Sequence, residues 1–171
     1  MSRAGRRHAL AALATCISLA SCGFQLRGAA TYNFTSVYVN AAAFPVFGTD
    51  LRNALVQSGG ATLADSAGAA EVVVDIQRVA DDKQVLSLSP GGRVQEYELA
   101  KVVAFRVRDR DGRVWMEADD ILIRRTYTYD DSQRLAREIL EQRLQRDMQA
   151  DAIAQIVRRL QAARPPVRPP A

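Results

Sequence analysis

Residues 94–109 read Val-Gln-Glu-Tyr-Glu-Leu-Ala-Lys-Val-Val-Ala-Phe-Arg-Val-Arg-Asp, and residues 109–112 read Asp-Arg-Asp-Gly. Successive side chains of a strand point to opposite faces. Tyr97, Leu99, Val103, Phe105 and Val107 therefore share one side of an extended chain, interrupted by Lys101. Glu96, Glu98, Arg106 and Arg108 take the other side, mixed with Ala100, Val102 and Ala104. This period of two predicts a long, half-buried strand. The Asp-Gly pair suits the positive φ of a tight hairpin. Residues 114–129 should return alongside, bulged near Glu117–Asp120 where the alternation breaks.

Downstream the period changes. Leu135, Ile139, Leu140, Leu144, Met148, Ile153, Ile156, Val157 and Leu160 recur every one to five residues among charges, which predicts one long amphipathic helix capped by Asp131 or Ser132. Burying each of Leu140, Leu144, Ile153 and Leu160 should contribute about 1.5–3 kcal/mol. Arg158 and Arg159 sit near the negative end of its dipole. Pro165, Pro166, Pro169 and Pro170 cannot continue that helix, so residues 163–171 are expected to form a disordered tail. Upstream, Thr35–Asn40 and Glu71–Val79 are rich in β-formers. Thr49 or Asp50 can cap a shorter helix that ends at Gly59-Gly60. Ala61–Ala70 reads as irregular, and Ser87–Arg93 as a turn or mobile loop. The order β-α-β-β-β-α predicts an α+β fold of two layers, a mixed sheet of about four strands with both helices on one face. The other face is then left for water or a partner.

The N-terminus carries its own message. Arg3, Arg6 and Arg7 precede an uncharged run from Ala9 to Ala20, and Leu19-Ala20-Ser21-Cys22 follows. That is the order of a secretory signal. The run is too short to cross a bilayer core, which takes about 20 apolar residues. Leu-Ala-Ser-Cys resembles the lipobox of bacterial lipoproteins, which implies cleavage before Cys22 and covalent acyl and diacylglycerol groups, palmitate among them, on that residue. Several chains anchor firmly where a single one does so marginally. The expected organisation is a signal peptide over 1–21, an acylated anchor segment over 22–30, an α+β domain over 31–162 and the Pro-rich tail.

Removal of the leader also changes the chemistry left to the chain. It takes three of the 23 basic residues and none of the 19 acidic ones, so the mature domain is nearly neutral and offers no basic face for nucleic acid. The only histidine, His8, and one of two cysteines, Cys16, go with it. Without His or a free thiol, the mature domain lacks the usual nucleophile–base pairs and the His/Cys ligand sets of zinc. The carboxylate doublets Asp81-Asp82, Asp119-Asp120 and Asp130-Asp131 read as solvated turn or edge residues. No enzyme and no metal site is expected. An enzyme of envelope substrates would have to rely on carboxylates, Ser, Tyr or Arg.

Cys22-Gly-Phe-Gln-Leu-Arg-Gly28 and Gly92-Arg93-Val-Gln-Glu-Tyr-Glu-Leu99 together resemble the LptE (RlpB) family of lipopolysaccharide-assembly lipoproteins. So do the Arg125–Asp130 run, Met148 with Asp151-Ala152, and the Ile156–Leu160 close. The resemblance implies a lipid-anchored protein on the periplasmic side of the outer membrane. It would plug the β-barrel LptD as a 1:1 heterodimer, support its assembly and bind lipopolysaccharide. Gly23 in place of Asp after the cysteine agrees with outer-membrane delivery. An anionic glycolipid favours guanidinium forks, which makes Arg93, Arg124, Arg125, Arg134 and Arg137 the candidate ligand contacts. Each has a plainer alternative as a solvated surface charge. Phe24, Leu26 and Arg27 are candidate anchor or partner contacts. The alternative function is an auxiliary lipoprotein subunit of an envelope lipid ABC transporter.

Overall fold

The computed structural model describes residues 31–128 and 134–166, with side chains outside the description at 134 and 135. The signal peptide, Cys22, Phe24, Leu26, Arg27, the proposed cap at Asp131 or Ser132, and residues 167–171 therefore lie outside the described residues. In chain order come β1 (Ser36–Asn40), α1 (Pro45–Ser58), β2 (Thr62–Leu63), a 3-10 turn (Ala67–Ala69), β3 (Val72–Leu88), β4 (Val94–Asp109), β5 (Val114–Thr128) and α2 (Arg134–Ala162). The sheet order is β2-β1-β3-β4-β5. β1 runs parallel to both β2 and β3, while β3, β4 and β5 form an antiparallel meander. The α+β class and the two helices are as expected. The sheet has five strands rather than about four, because Thr62 and Ala64 donate backbone N–H groups to the carbonyls of Thr35 and Val37.

The expected hairpin is present. Gly112 has φ +88°, and the Asp109 carboxylate accepts the backbone N–H groups of Asp111 and Arg113 at 2.9 and 2.8 Å. The β5 bulge also falls where the alternation breaks, since Phe105 opposes Asp119 while Val107 opposes Met116. Two element bounds differ from expectation. β3 continues to Leu88, beyond the expected end at Val79, because pairing with β4 persists across a bulge between Ile76 and Arg78. α1 starts at Pro45 rather than at Thr49 or Asp50. Proline at the first helical position has a preset φ and gives up an N–H that would be unpaired anyway. The Thr49 hydroxyl is turned back to the Pro45 carbonyl at 2.9 Å, so it does not cap.

One core lies between the sheet and the helices. Val37, Val39, Val72, Val74, Leu99, Val103, Phe105, Val107 and Ile121 face Phe47, Leu51 and Leu55 of α1, and Met148, Ala152, Ile156 and Leu160 of α2. Among the described residues of α2, the buried ones begin at Met148. Ile153 and Leu160 are buried as expected and Leu144 is partly so, but Leu140 is 42% and Ile139 58% exposed. The apolar period continues along the helix beyond the point where aliphatic sheet residues lie beneath it.

α1 also makes one close approach. A Cβ added at Gly48 would sit 2.7 Å from the Cβ of Ala41. Alanine is worth about 1 kcal/mol over glycine in a helix, whereas overpacking a tight contact costs about 1–3 kcal/mol. Gly48→Ala is therefore expected to lower the urea midpoint. A rise would show that the loop carrying Ala41 yields freely.

Candidate ligand site

The two layers are unequal in length, and this shapes the end of the molecule formed by the β3–β4 turn, the end of β5 and the start of α2. Register places Val85, Tyr97 and Tyr127 side by side on the helix-facing side, next to the row Lys83, Leu99, Arg125. The Tyr97 and Tyr127 rings stack with centroids 5.7 Å apart, and the Lys83 ammonium lies 4.5 Å above the Tyr97 ring. Lys83 Nζ also reaches Glu141 of α2 at 2.5 Å, and the Tyr127 hydroxyl donates to the same carboxylate oxygen at 2.7 Å. This triangle ties the first half of α2 to the sheet where aliphatic packing has ended.

Electrostatics hold the triangle together. Burial alone would raise the Glu141 pKa, but the hydrogen bond from Lys83, with help from Tyr127 and the Arg137 charge, holds the carboxyl below its ordinary value. Burial opposes the charge on Lys83 too, and Glu141 overcomes this and raises the ammonium. At the same end Val85, Leu86 and Leu88 of β3 are 48%, 49% and 57% exposed, and Ile139 and Leu140 of α2 are 58% and 42% exposed.

The expected arginine cluster is only partly assembled. Arg93 lies on the exposed Ser89–Arg93 turn, whose ends are joined through the Ser89 N–H and the Arg93 carbonyl at 2.7 Å. Its guanidinium has no partner among the described residues. Arg137 lies on α2 one turn before Glu141. Arg134 opens α2, and its side chain is outside the description. Arg124 and Arg125 do not act together. As strand neighbours they point to opposite faces, Arg124 to Glu98 at 3.5 Å on the open face and Arg125 to Asp151 at 2.5 Å beneath α2. Lys83, which composition alone left as one of two lysines, is the cation the structure brings to this end. The paired Tyr97 and Tyr127 become a signal for it only once the register is known.

The open face carries a different set. Asp75 accepts from Asn40 at 2.8 Å and from Arg108 at 2.7 Å, with Arg106 at 3.3 Å. Burial would raise this carboxyl, but Arg108 and then Asn40 hold it low. Val73, flanked by Tyr38 and Arg108, is fully buried on this side. The doublet Asp81-Asp82 is also more than a solvated pair. Asp81 binds the buried Lys101 ammonium at 2.5 Å on the core side. Asp119 is engaged as well, by Arg159, whose guanidinium lies 5.9 Å above the Phe105 ring. No group of His, Cys, Asp and Glu side chains suited to a metal occurs among the described residues.

The architecture is thus that of a small α+β domain, and no helix among the described residues is long and apolar enough to cross a membrane. The family model described as LptE, lipopolysaccharide-assembly, matches residues 34–160, and the chain belongs to that family. Its role accordingly lies in lipopolysaccharide assembly. The chain is similar to an uncharacterized lipoprotein B of Nitrosomonas europaea solved by NMR: 35% identity, TM-score 0.74, 82% of this chain and 91% of that one covered. A minor lipoprotein of Acinetobacter baumannii has the same fold at 24% identity and TM-score 0.63, covering 79% of this chain and 99% of that one. The rare lipoprotein B of Shewanella oneidensis shares it at 24% identity and TM-score 0.64, with coverage of 75% and 95%. No curated protein sequence matches the chain.

Proposed function

We propose that this protein is a non-catalytic outer-membrane lipoprotein, acylated at Cys22, which seats inside the β-barrel LptD, supports its assembly and receives lipopolysaccharide on the way to the outer leaflet. The observation that carries the reading is the family match across residues 34–160. Two features support it. The surface alternates in charge, with Arg124–Glu98, Arg125–Asp151 and Arg106–Asp75 pairs, as suits contact with the polar interior of a barrel. The end that holds Arg93, Lys83 and Arg137 also exposes Val85, Leu86, Leu88, Ile139 and Leu140, a combination suited to an anionic lipid. Phosphate is well met by a guanidinium fork, and Arg93 has one uncommitted.

The test is to tag the chain at its C-terminal tail in its native cell, extract the outer membrane in mild detergent and identify what co-purifies. A large β-barrel in near-equal amount is the expected result. A chain that elutes alone, or with an inner-membrane transporter, would overturn the reading and favour an auxiliary transporter subunit. In the same preparation Arg93→Glu is expected to lower retained lipopolysaccharide several-fold while thermal unfolding is unchanged. Equal retention would leave Arg93 as an ordinary turn residue.

A further inference from the structure

We propose that the segment Gly23-Phe24-Gln25-Leu26-Arg27 docks as an extended strand in the groove between α1 and α2, and so sets the direction in which the domain hangs from its anchor. The groove has a volume of about 1110 Å³. Its floor is apolar: Ala54 of α1 with Ile153 and Val157 of α2, flanked by the exposed small residues Ala150 and Ala154. Its walls carry the side-chain amides of Asn53, Gln57 and Gln161, none of them committed to a partner among the described residues. At one end the groove is closed by Gln149 donating to Asp50 at 2.6 Å. At the other end lie Ser58, Gly59 and Gln161.

That open end is where the chain comes in. The Tyr32 hydroxyl is 2.7 Å from the Ser58 hydroxyl, and the Asn33 amide donates to the carbonyl of Ala163 at 2.6 Å. Residues 32 and 33 are thereby fixed at the C-terminal ends of both groove-forming helices. The chain from residue 24 to residue 31 spans at most about 25 Å when extended, and α2 from Gln149 to Gln161 is about 18 Å long. The reach is sufficient to fill the groove from its entrance to its closed end.

The segment's pattern matches the walls. Phe24 and Leu26 lie two apart and so share one face of an extended chain, with Gln25 and Arg27 on the other. Apolar side chains go down onto the floor of Ala54, Ile153 and Val157. In the groove an extended backbone meets side-chain amides that both donate and accept. If Cys22 is acylated, a point that rests on the function proposed above, the lipid emerges near Asp50 and Gln149. The helical layer then lies toward the bilayer and the open sheet face away from it.

The test is photocrosslinking in the full-length, membrane-extracted protein, with benzoylphenylalanine at position 24 and, separately, at position 26. The cross-linked peptides are then identified by mass spectrometry. Cross-links to residues 50–59 and 146–161 of the same chain are expected, and Ala154→Arg, which fills the floor from an exposed position, should reduce their yield at least fivefold with unchanged thermal unfolding. Cross-links only to lipid or to another protein, or a yield unaffected by Ala154→Arg, would overturn the docking. Because the readout is intramolecular, it stands or falls separately from co-purification of a barrel.

Discussion

Phe105→Ala is expected to remove about 3–5 kcal/mol of folding stability, the cost typical of emptying a fully enclosed aromatic site. Phe105 is completely buried and sits in the middle of β4, between Ile76 of β3 and Asp119 of β5. Hydrogen-bonded ladders on both sides keep the strands from closing over the space. From above, Arg159 covers the ring while held by Asp119, so α2 is tethered over the void and resists collapsing into it. Urea unfolding measures the effect directly, and a midpoint shift worth less than about 2 kcal/mol would show that α2 shifts to fill the gap. The α2 tether makes a second outcome checkable. In an Arg159→Ala background the cost of Phe105→Ala should fall, because the two sites share one contact and are not additive.

The second large effect comes from a charge. Lys101 interrupts an otherwise apolar row in the sequence, and its side chain is 3% exposed, whereas its partner Asp81 is 51% exposed. Removing either member breaks the same pair, but the two losses differ. Asp81→Ala leaves an ammonium enclosed without a counter-charge, a situation that costs about 3–5 kcal/mol for a fully buried pair. Here the carboxylate is half in water, so about 2–3 kcal/mol is expected. Lys101→Met leaves only a half-exposed carboxylate and puts an apolar chain of similar length among Leu99, Val103 and Ile123, so a loss below about 1 kcal/mol is expected. The order Asp81→Ala worse than Lys101→Met is the decisive outcome. The reverse order in urea titrations would mean that the pair itself, and not the desolvated ammonium, dominates.

Both sites bear on how much could be read ahead of the fold. The β4–β5 hairpin, the β5 bulge, the stop at Gly59 and the long final helix follow from local rules: alternation, a positive-φ glycine and a period near 3.6. β2 escaped because two residues carry no period. It exists only because the carbonyls of Thr35 and Val37 lie within reach of Thr62 and Ala64. The start of α1 was missed because Thr49 offered a plausible cap while the geometry favoured Pro45. Among the candidate ligand residues, Arg93 was legible as a free charge on a turn. Lys83 was not, since its place over Tyr97 and beside Glu141 depends on a register that runs through the bulge between Ile76 and Arg78.

The residues alone are enough for β1, β4, β5 and both helices, for which side of each is apolar, and for the fact that His8 is the single histidine of the chain. Those are properties of neighbours along the backbone, set by sterics and by the spacing of side chains. Only the fold decides that Leu140 is exposed while Lys101 is enclosed, that Arg124 and Arg125 serve opposite faces, and that Lys83 meets Tyr97 and Glu141. Each of these depends on which distant residue lies opposite and on how far the helical layer reaches over the sheet. A side chain's own period is silent on both, because burial and charge pairing are properties of two surfaces that meet only when the chain has folded.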